Sequence, residues 1–407
     1  MSQIVPFILS SVSAARIPAE DIIRSGVSEY ETSLDVDDFV DNFAMPEVNL
    51  RSLGLQNNKD PLLQAGKFEG DIAGFAGATP LTFKRDPVGV AHNAVRDTWH
   101  RWVDAEVPYV LSSRYGRYSR KVIARAMDEF HRNTCIRFVP RERLKHRDYV
   151  YIEPEDGCYS MVGRMGGKQP ISLDAGCMEV GIVVHELMHT IGFFHEQSRT
   201  DRDDWIRINW RNILPGASDQ FDKYDSRTMD LLGATYDYDS IMHYGPYAFS
   251  RNGQRTIDAL RAGGEAMGQR KGFSETDIYK LNKLYWCDEH GNGAEGQSGE
   301  KGTGMTTMKH CEDVNGHCKK WRQAGFCDKI GYRHFMAETC AESCGKCAPR
   351  SIASLMSGCK DSEGFKNRCQ LYATWGMCQG QNKPFMEKAC PMSCNFCFNK
   401  EILIPRT

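Results

Sequence analysis

The sequence lacks any run of about 20 consecutive apolar residues, the length a helix needs to cross a bilayer, so no segment reads as a membrane span. It also lacks an excess of either charge. Its 51 Lys and Arg face 53 Asp and Glu, a formal charge of −2, which removes the basic field that non-specific nucleic-acid binding requires. There is no Asn-x-Ser/Thr sequon, so glycosylation offers no mark of secretion. From Arg16 to His92 there is no cysteine and no sustained period of 3.6 or 2, which makes this stretch a leader without a core of its own. Cysteine is abundant elsewhere. The chain has 16 in 407 residues, an even number clustered towards the C-terminus, which points to an oxidising compartment.

Residues 1–15 read as a signal peptide, with a short apolar stretch from Ile4 to Leu9 followed by the small-x-small pattern Val12-Ser13-Ala14. The leader occupies 16–92, and composition becomes globular over 93–287. There the periodicity predicts a helix over Arg120 to Asn133, with Val122, Ile123, Ala126, Met127 and Phe130 on one face. It also predicts strands at Ile136 to Val139 and Tyr149 to Ile152, and an apolar helix over Ile182 to Phe194. Residues 288–310, rich in Gly, Ser, Glu and Thr, read as a linker too polar to order itself. Two six-cysteine units follow at 311–347 and 359–397, joined by a linker at 348–358 and trailed by a tail at 398–407. Each unit ends C-x3-C-x2-C and has a Trp before its third cysteine (Trp321, Trp375), so they form an internal repeat. Units below about 40 residues need disulfides or a metal to hold together.

The run His185-Glu-Leu-Met-His-Thr-Ile-Gly-Phe-Phe-His195-Glu196 carries the chemistry. On a helix, positions i and i+4 share a face, so His185 and His189 point two imidazoles at one ion with Glu186 beside it. A third ligand six residues later lies off a straight helix, and Gly192 lets the chain turn to bring His195 back. Three nitrogen donors with open positions suit a catalytic zinc. The long form H-E-x-x-H-x-x-G-x-x-H is the metzincin signature. Ser240-Ile-Met-His-Tyr244 then reads as the Met-turn, with Met242 as an apolar floor and Tyr244 within reach of the ion.

Together with Glu196 directly after the third His, Thr134-Cys-Ile-Arg-Phe-Val-Pro140, Cys158-Tyr-Ser-Met-Val-Gly-Arg164 and Arg199-Thr-Asp-Arg-Asp203, these motifs resemble the astacin family of zinc endopeptidases. The resemblance implies an α+β fold. Its catalytic domain has two lobes, a mixed sheet with the active-site helix in the first and an irregular second, followed here by small disulfide-rich modules. It implies one Zn2+ held by His185, His189 and His195, with Tyr244 as a fifth ligand that swings away to support the tetrahedral intermediate. Glu186 becomes the general base for the zinc-activated water. Ser160 to Arg164 resembles the edge strand that takes substrate as an added strand. Arg261, after the Met-turn, is a candidate for favouring an acidic substrate residue, against the plainer reading of a solvated Arg.

Within the leader, Phe68-Glu-Gly-Asp71 resembles the family's propeptide motif, in which the Asp carboxylate occupies the zinc. By the same resemblance the propeptide is removed between His92 and Asn93, ahead of Trp102 and Pro108-Tyr109, and the new ammonium is buried near Glu196. The family commonly has Arg before this bond, where this chain has His92, which leaves Arg85 and Arg96 as other positions for the activating protease.

Four cysteines, Cys135, Cys158, Cys177 and Cys287, remain outside the repeats and allow three pairings. The astacin resemblance selects Cys135–Cys287 and Cys158–Cys177. The repeats resemble ShK toxin-like domains, whose pattern implies Cys311–Cys347, Cys318–Cys340 and Cys327–Cys344, then Cys359–Cys397, Cys369–Cys390 and Cys378–Cys394. Channel block by such a module needs a Lys beside an aromatic residue. Gly331-Tyr332 and Lys383-Pro384-Phe385 offer no Lys-Tyr pair, so a protein target is the better expectation for the modules. The sequence thus describes a secreted, zymogenic zinc endopeptidase acting on extracellular proteins or peptides. The alternative is a secreted binding or channel-modulating protein whose protease is dispensable.

Overall fold

The computed structural model describes residues 17–40, 48–57, 59–74, 98–224, 230–287 and 312–347, and in the second cysteine-rich unit 361–362, 366–374, 376–379, 382–391 and 393–394. The expected signal peptide, the His92–Asn93 bond, the 288–310 linker, Trp375, and Cys311, Cys359 and Cys397 lie outside the described residues.

Buried aromatic and β-branched side chains build one mixed sheet. Its central strands are β2 (Glu106–Ser112), β4 (Tyr149–Glu153) and β6 (Lys168–Leu173), paired in parallel with Tyr109 opposite Val150 and Ile152 opposite Ile171. Short β3 (Arg137–Pro140) also runs parallel to β2, and β5 (Cys158–Ser160) closes the far edge antiparallel to β6. Near-continuous apolar runs such as Val107 to Leu111 fit strands covered on both faces.

The leader contributes α1 (Ala19–Ile22), β1 (Glu31–Thr32) and α2 (Val36–Val40). β1 pairs antiparallel with the end of β2, Glu31 opposite Ser112. Leu34, Val36, Phe39, Leu50 and Leu62 join the same apolar cluster as the catalytic domain. The leader therefore has no separate core and borrows its neighbour's.

Helix α3 (Arg117–Asn133) presents Val122, Ile123, Ala126, Met127 and Phe130 to the core, the face that the periodicity predicts. It starts three residues earlier than the apolar period does. Tyr118 and Ser119 are buried, and the Ser119 hydroxyl donates to the leader carbonyl of Ile22 at 2.8 Å, a contact without local signature. Helix α4 (Val180–Ile191) is buried all round and ends before Phe194, correcting the sequence expectation. The reason is Gly192, whose φ of 121° stops the helix while its N–H donates to the His189 carbonyl at 2.8 Å.

Beyond α4 the second lobe is largely 3-10 turns. Its regular pieces are the antiparallel pair β7 (Ile206–Ile208) and β8 (Ile257–Ala259) and the helix α5 (Glu275–Leu284), which opens on a capping box of Ser274 and Asp277. Cys135–Cys287 ties the loop after α3 to the C-terminal end of the catalytic domain across 152 residues, worth up to about 5 kcal/mol by chain entropy, and Cys158–Cys177 ties β5 to the loop before α4.

The first cysteine-rich unit holds α6 (Cys318–Gln323) and α7 (Arg333–Thr339), linked by Cys318–Cys340 and Cys327–Cys344. The second repeats this with α8 (Lys366–Thr374), α9 (Lys383–Ala389), Cys369–Cys390 and Cys378–Cys394. The likeness reaches side-chain detail. Ser343 N–H donates to Asp313 at 2.8 Å, and Ser393 N–H to Asp361 at 3.1 Å.

Candidate active site

Helix α4 carries His185, Glu186 and His189, and the turn at Gly192 delivers His195, all fully buried. Each imidazole has its Nδ1 committed. His185 donates to the Ile241 carbonyl at 2.8 Å, His189 to the Phe193 carbonyl at 2.6 Å and His195 to the Glu69 carboxylate at 2.8 Å. That places the proton on Nδ1 and turns three Nε2 lone pairs inward.

Between them lies the leader's Asp71. Its carboxylate oxygens stand 3.1 Å from His185 Nε2, 3.5 Å from His189 Nε2 and 3.3 Å from His195 Nε2, and the His185 and His195 Nε2 atoms are 3.2 Å apart. Ligands at 2.0–2.1 Å from a tetrahedral zinc are separated by about 3.3 Å, so this donor set has zinc dimensions. His189 Nε2 and Asp71 Oδ1 are buried and make no hydrogen bond, as expected of atoms that serve a metal. Burial alone would raise the Asp71 carboxyl; without a metal, positive charge on His195 and the imidazole contacts hold it well below the usual range, a role that zinc would take over when the three Nε2 atoms serve as its ligands.

Glu186 is fully buried beside this cluster, with neither carboxylate oxygen hydrogen-bonded. Burial, and then the Asp71 carboxylate, push its carboxyl well above the usual range. Glu69, which the sequence reading did not single out, anchors the leader twice more by accepting from His195 Nδ1 and from the Ser198 hydroxyl at 2.8 Å. The Tyr244 hydroxyl donates to the Glu69 carbonyl. In the leader-bound chain its partner is thus the leader backbone, with its ring 4.8 Å from that of His195.

The Met-turn is held from a distance. Asp277 of α5 accepts from the Ser240 hydroxyl at 2.6 Å and from Ile241 N–H at 2.8 Å, which fixes the carbonyl that orients His185. Burial pushes Asp277 up to about 6. Met242 is buried, and its carbonyl accepts from Glu196 N–H at 3.0 Å. The last carbonyls of α4 are also satisfied, Thr190 by the Trp102 indole and Ile191 by the Tyr285 hydroxyl, each at 2.8 Å.

Two expectations take a different form, and a third, Arg261, is exposed as its plainer reading has it. Glu196 already accepts from Lys280 at 2.6 Å, Arg199 at 3.0 Å and Asp237 N–H at 3.0 Å, so a new ammonium would meet a carboxylate with two cations in place. The expected edge strand ends at Ser160. Gly163 has a φ of 75°, and Arg164 turns to the Trp99 and Arg101 carbonyls and to Asp148. The leader occupies this edge, with Ser160 N–H donating to the Asp71 carbonyl at 3.0 Å and Ala73 N–H to the Ser160 carbonyl at 2.8 Å. Arg261 lies over the Trp205 ring at 3.8 Å.

Comparison with known proteins agrees with this geometry. Residues 94–286 match the model of the Astacin peptidase family, and 310–347 and 358–397 match the ShK domain-like family. The chain is 47% identical over 276 residues to zinc metalloproteinase nas-4 of Caenorhabditis elegans, covering 68% of this chain and 86% of that one. Zinc metalloproteinase nas-13 of the same organism is 43% identical over 331 residues, covering 69% and 73%. High choriolytic enzyme 1, a hatching enzyme zinc-protease from Oryzias latipes, is 43% identical with a TM-score of 0.43, covering 46% of this chain and 93% of that one. The donor cluster, the family match and the nas-4 and nas-13 relatives define a zinc metalloendopeptidase. The chain belongs to the astacin family and carries two ShK-like modules behind its protease.

Proposed function

We propose that the chain is a secreted zymogen of a zinc endopeptidase, with a leader over 16–92, a catalytic domain over 93–287 and modules at 311–347 and 359–397. The observation that carries this reading is the Asp71 carboxylate set among three inward-facing Nε2 atoms, with Glu186 beside it. His185, His189 and His195 hold the metal, and Asp71 fills the position that water needs. Secretion is supported by the disulfides, which persist in oxidising compartments. No helix among the described residues is long and apolar enough to cross a membrane.

Zinc, when bound, supplies Lewis-acid character that makes water a nucleophile near neutral pH. Glu186 takes the proton from the attacking water and returns it to the leaving amine, a role open to a carboxylate without a competing partner. When the leader leaves, the Tyr244 hydroxyl loses the Glu69 carbonyl and is free to donate to the developing oxyanion, the kind of contact worth about 3 kcal/mol. The β5 edge, vacated by Asp71 to Ala73, receives the substrate backbone. Substrates are extracellular proteins or peptides, and a separate protease cuts the leader. The test is a leader-free Glu186→Gln chain, which is expected to retain zinc and lose turnover.

A further inference from the structure

A second stretch of the leader is gripped far along the chain from Asp71, by two bodies at once. Phe39 of α2 is 2% exposed, and its ring centroid lies 5.0 Å from that of His317 and 5.3 Å from that of Trp321, both in the first cysteine-rich module. On its other side stands His131 of α3, with centroids 6.5 Å apart. One hydroxyl joins all three parts of the protein. Tyr109 of β2 accepts from Leu34 N–H of the leader at 3.1 Å and bonds to His317 Nε2 at 2.6 Å. His317 Nδ1 is committed to Asn315 at 2.7 Å, so Nε2 is the acceptor of that bond.

The rim is cationic where the leader is acidic. Arg120 of α3 makes two bonds to Asp38, at 2.6 and 3.2 Å, and a third to the Ser33 carbonyl at 2.8 Å. From the module, Lys320 donates to the Ser33 hydroxyl at 2.8 Å, and Tyr332 donates to Asp37. The module also touches the catalytic domain without the leader between them. A Cβ on Gly316 would lie 2.6 Å from the Phe138 carbonyl and 2.5 Å from Val139, so the module backbone rests directly on β3.

We propose that the first cysteine-rich module and the catalytic domain together form a peptide-binding groove, separate from the metal site, for segments of the pattern acidic–apolar–acidic–acidic–aromatic in polypeptide substrates. Asp35-Val36-Asp37-Asp38-Phe39 of the leader occupies it before activation. Leader removal leaves an aromatic socket between Trp321 and His131, bordered by Arg120 and Lys320. Only a segment offering a ring for the socket and carboxylates for the rim restores the lost contacts. The inference rests on the zymogen reading for the step that vacates the groove.

The test uses the zinc-loaded full chain after its leader has been cut and removed, titrated with a fluorescein-labelled peptide of residues 28–40, which stops short of Asp71. Anisotropy is expected to show saturable binding that weakens by roughly 30-fold or more with a Phe39→Ala peptide. Lys320→Glu in the protein, at an exposed position, should weaken binding of the unchanged peptide. Absence of saturable binding, or equal binding of the Phe39→Ala peptide, overturns the proposal. Turnover of a short peptide by the same preparation reports on the protease separately. Binding without turnover sinks the protease reading and leaves the groove standing, and turnover without binding does the reverse.

Discussion

Replacing Asp71 by Asn keeps the shape of the leader and removes the one charge that faces the three Nε2 atoms. Asp71 would face the bound cation as its charge partner; loss of one member of a buried charge pair costs about 2–5 kcal/mol, and each 1.4 kcal/mol is tenfold in affinity, so by that scale inhibition should weaken roughly 30-fold to several thousand-fold. Glu69 keeps its bonds to His195 and Ser198, its carbonyl keeps Tyr244, and the leader backbone keeps its bonds to Ser160. These contacts are common to both leaders and cancel in the ratio, which therefore reads the carboxylate contact alone. Inhibition constants of wild-type and Asp71→Asn leaders, added in trans to leader-free, zinc-loaded enzyme, measure the difference, with exposed Glu20→Gln as the control. An Asp71→Asn leader that inhibits within about threefold of wild type, a difference below 1 kcal/mol, would refute the carboxylate lock.

Lys280→Met removes the Lys280 cation from the fully buried Glu196 and keeps its pairing with Arg199. Breaking such a pair costs about 3 kcal/mol, which should lower the melting temperature by about 6–12 °C in calorimetry. A shift under about 2 °C would count against the Glu196 network as a stabilising element. His317, facing Tyr109, Asn315, Lys320 and His131, is pushed down to about 3, chiefly by burial and then by Lys320. A folded value below the ordinary 6.5 means that docking of the first module is fully favoured above pH 6.5 and weakens by about 1.4 kcal/mol for each pH unit below it, about 2 kcal/mol at pH 5. Hydrogen exchange across 312–347, corrected for intrinsic rates, should show this loosening. His317→Gln should flatten it, and equal protection at pH 7 and pH 5 in the unmodified chain contradicts it.

The metal centre was legible because its parts are local. His185 and His189 share a helix face by spacing alone, Gly192 announces the turn to His195, and Phe68 to Asp71 is a compact motif whose position before the protease gives it meaning. What supports the centre was not legible, since its partners lie far apart in the chain. Asp277 braces the Met-turn from 36 residues away and Lys280 reaches Glu196 across 84; at the module seat, apart from the centre, Tyr109 meets His317 across 208. None of these has a periodic or compositional signature. Glu69 has no signature of its own within Phe68 to Asp71, because its bond to His195 depends on how the leader turns at Glu69, whose φ is 47°, and at Gly70. The edge expected over Ser160 to Arg164 stopped short for a similar reason, the pull of Arg164 on carbonyls more than 60 residues away.

The most direct test of the central claim is to measure zinc content and peptide turnover side by side on the leader-free chain with Glu186 intact and with Glu186→Gln. The account predicts one zinc per chain in both, and turnover at least about 100-fold lower in the variant, because Glu186 moves the proton and is not a ligand. Undiminished turnover by the zinc-loaded variant contradicts it, as does loss of zinc when Glu186 is replaced.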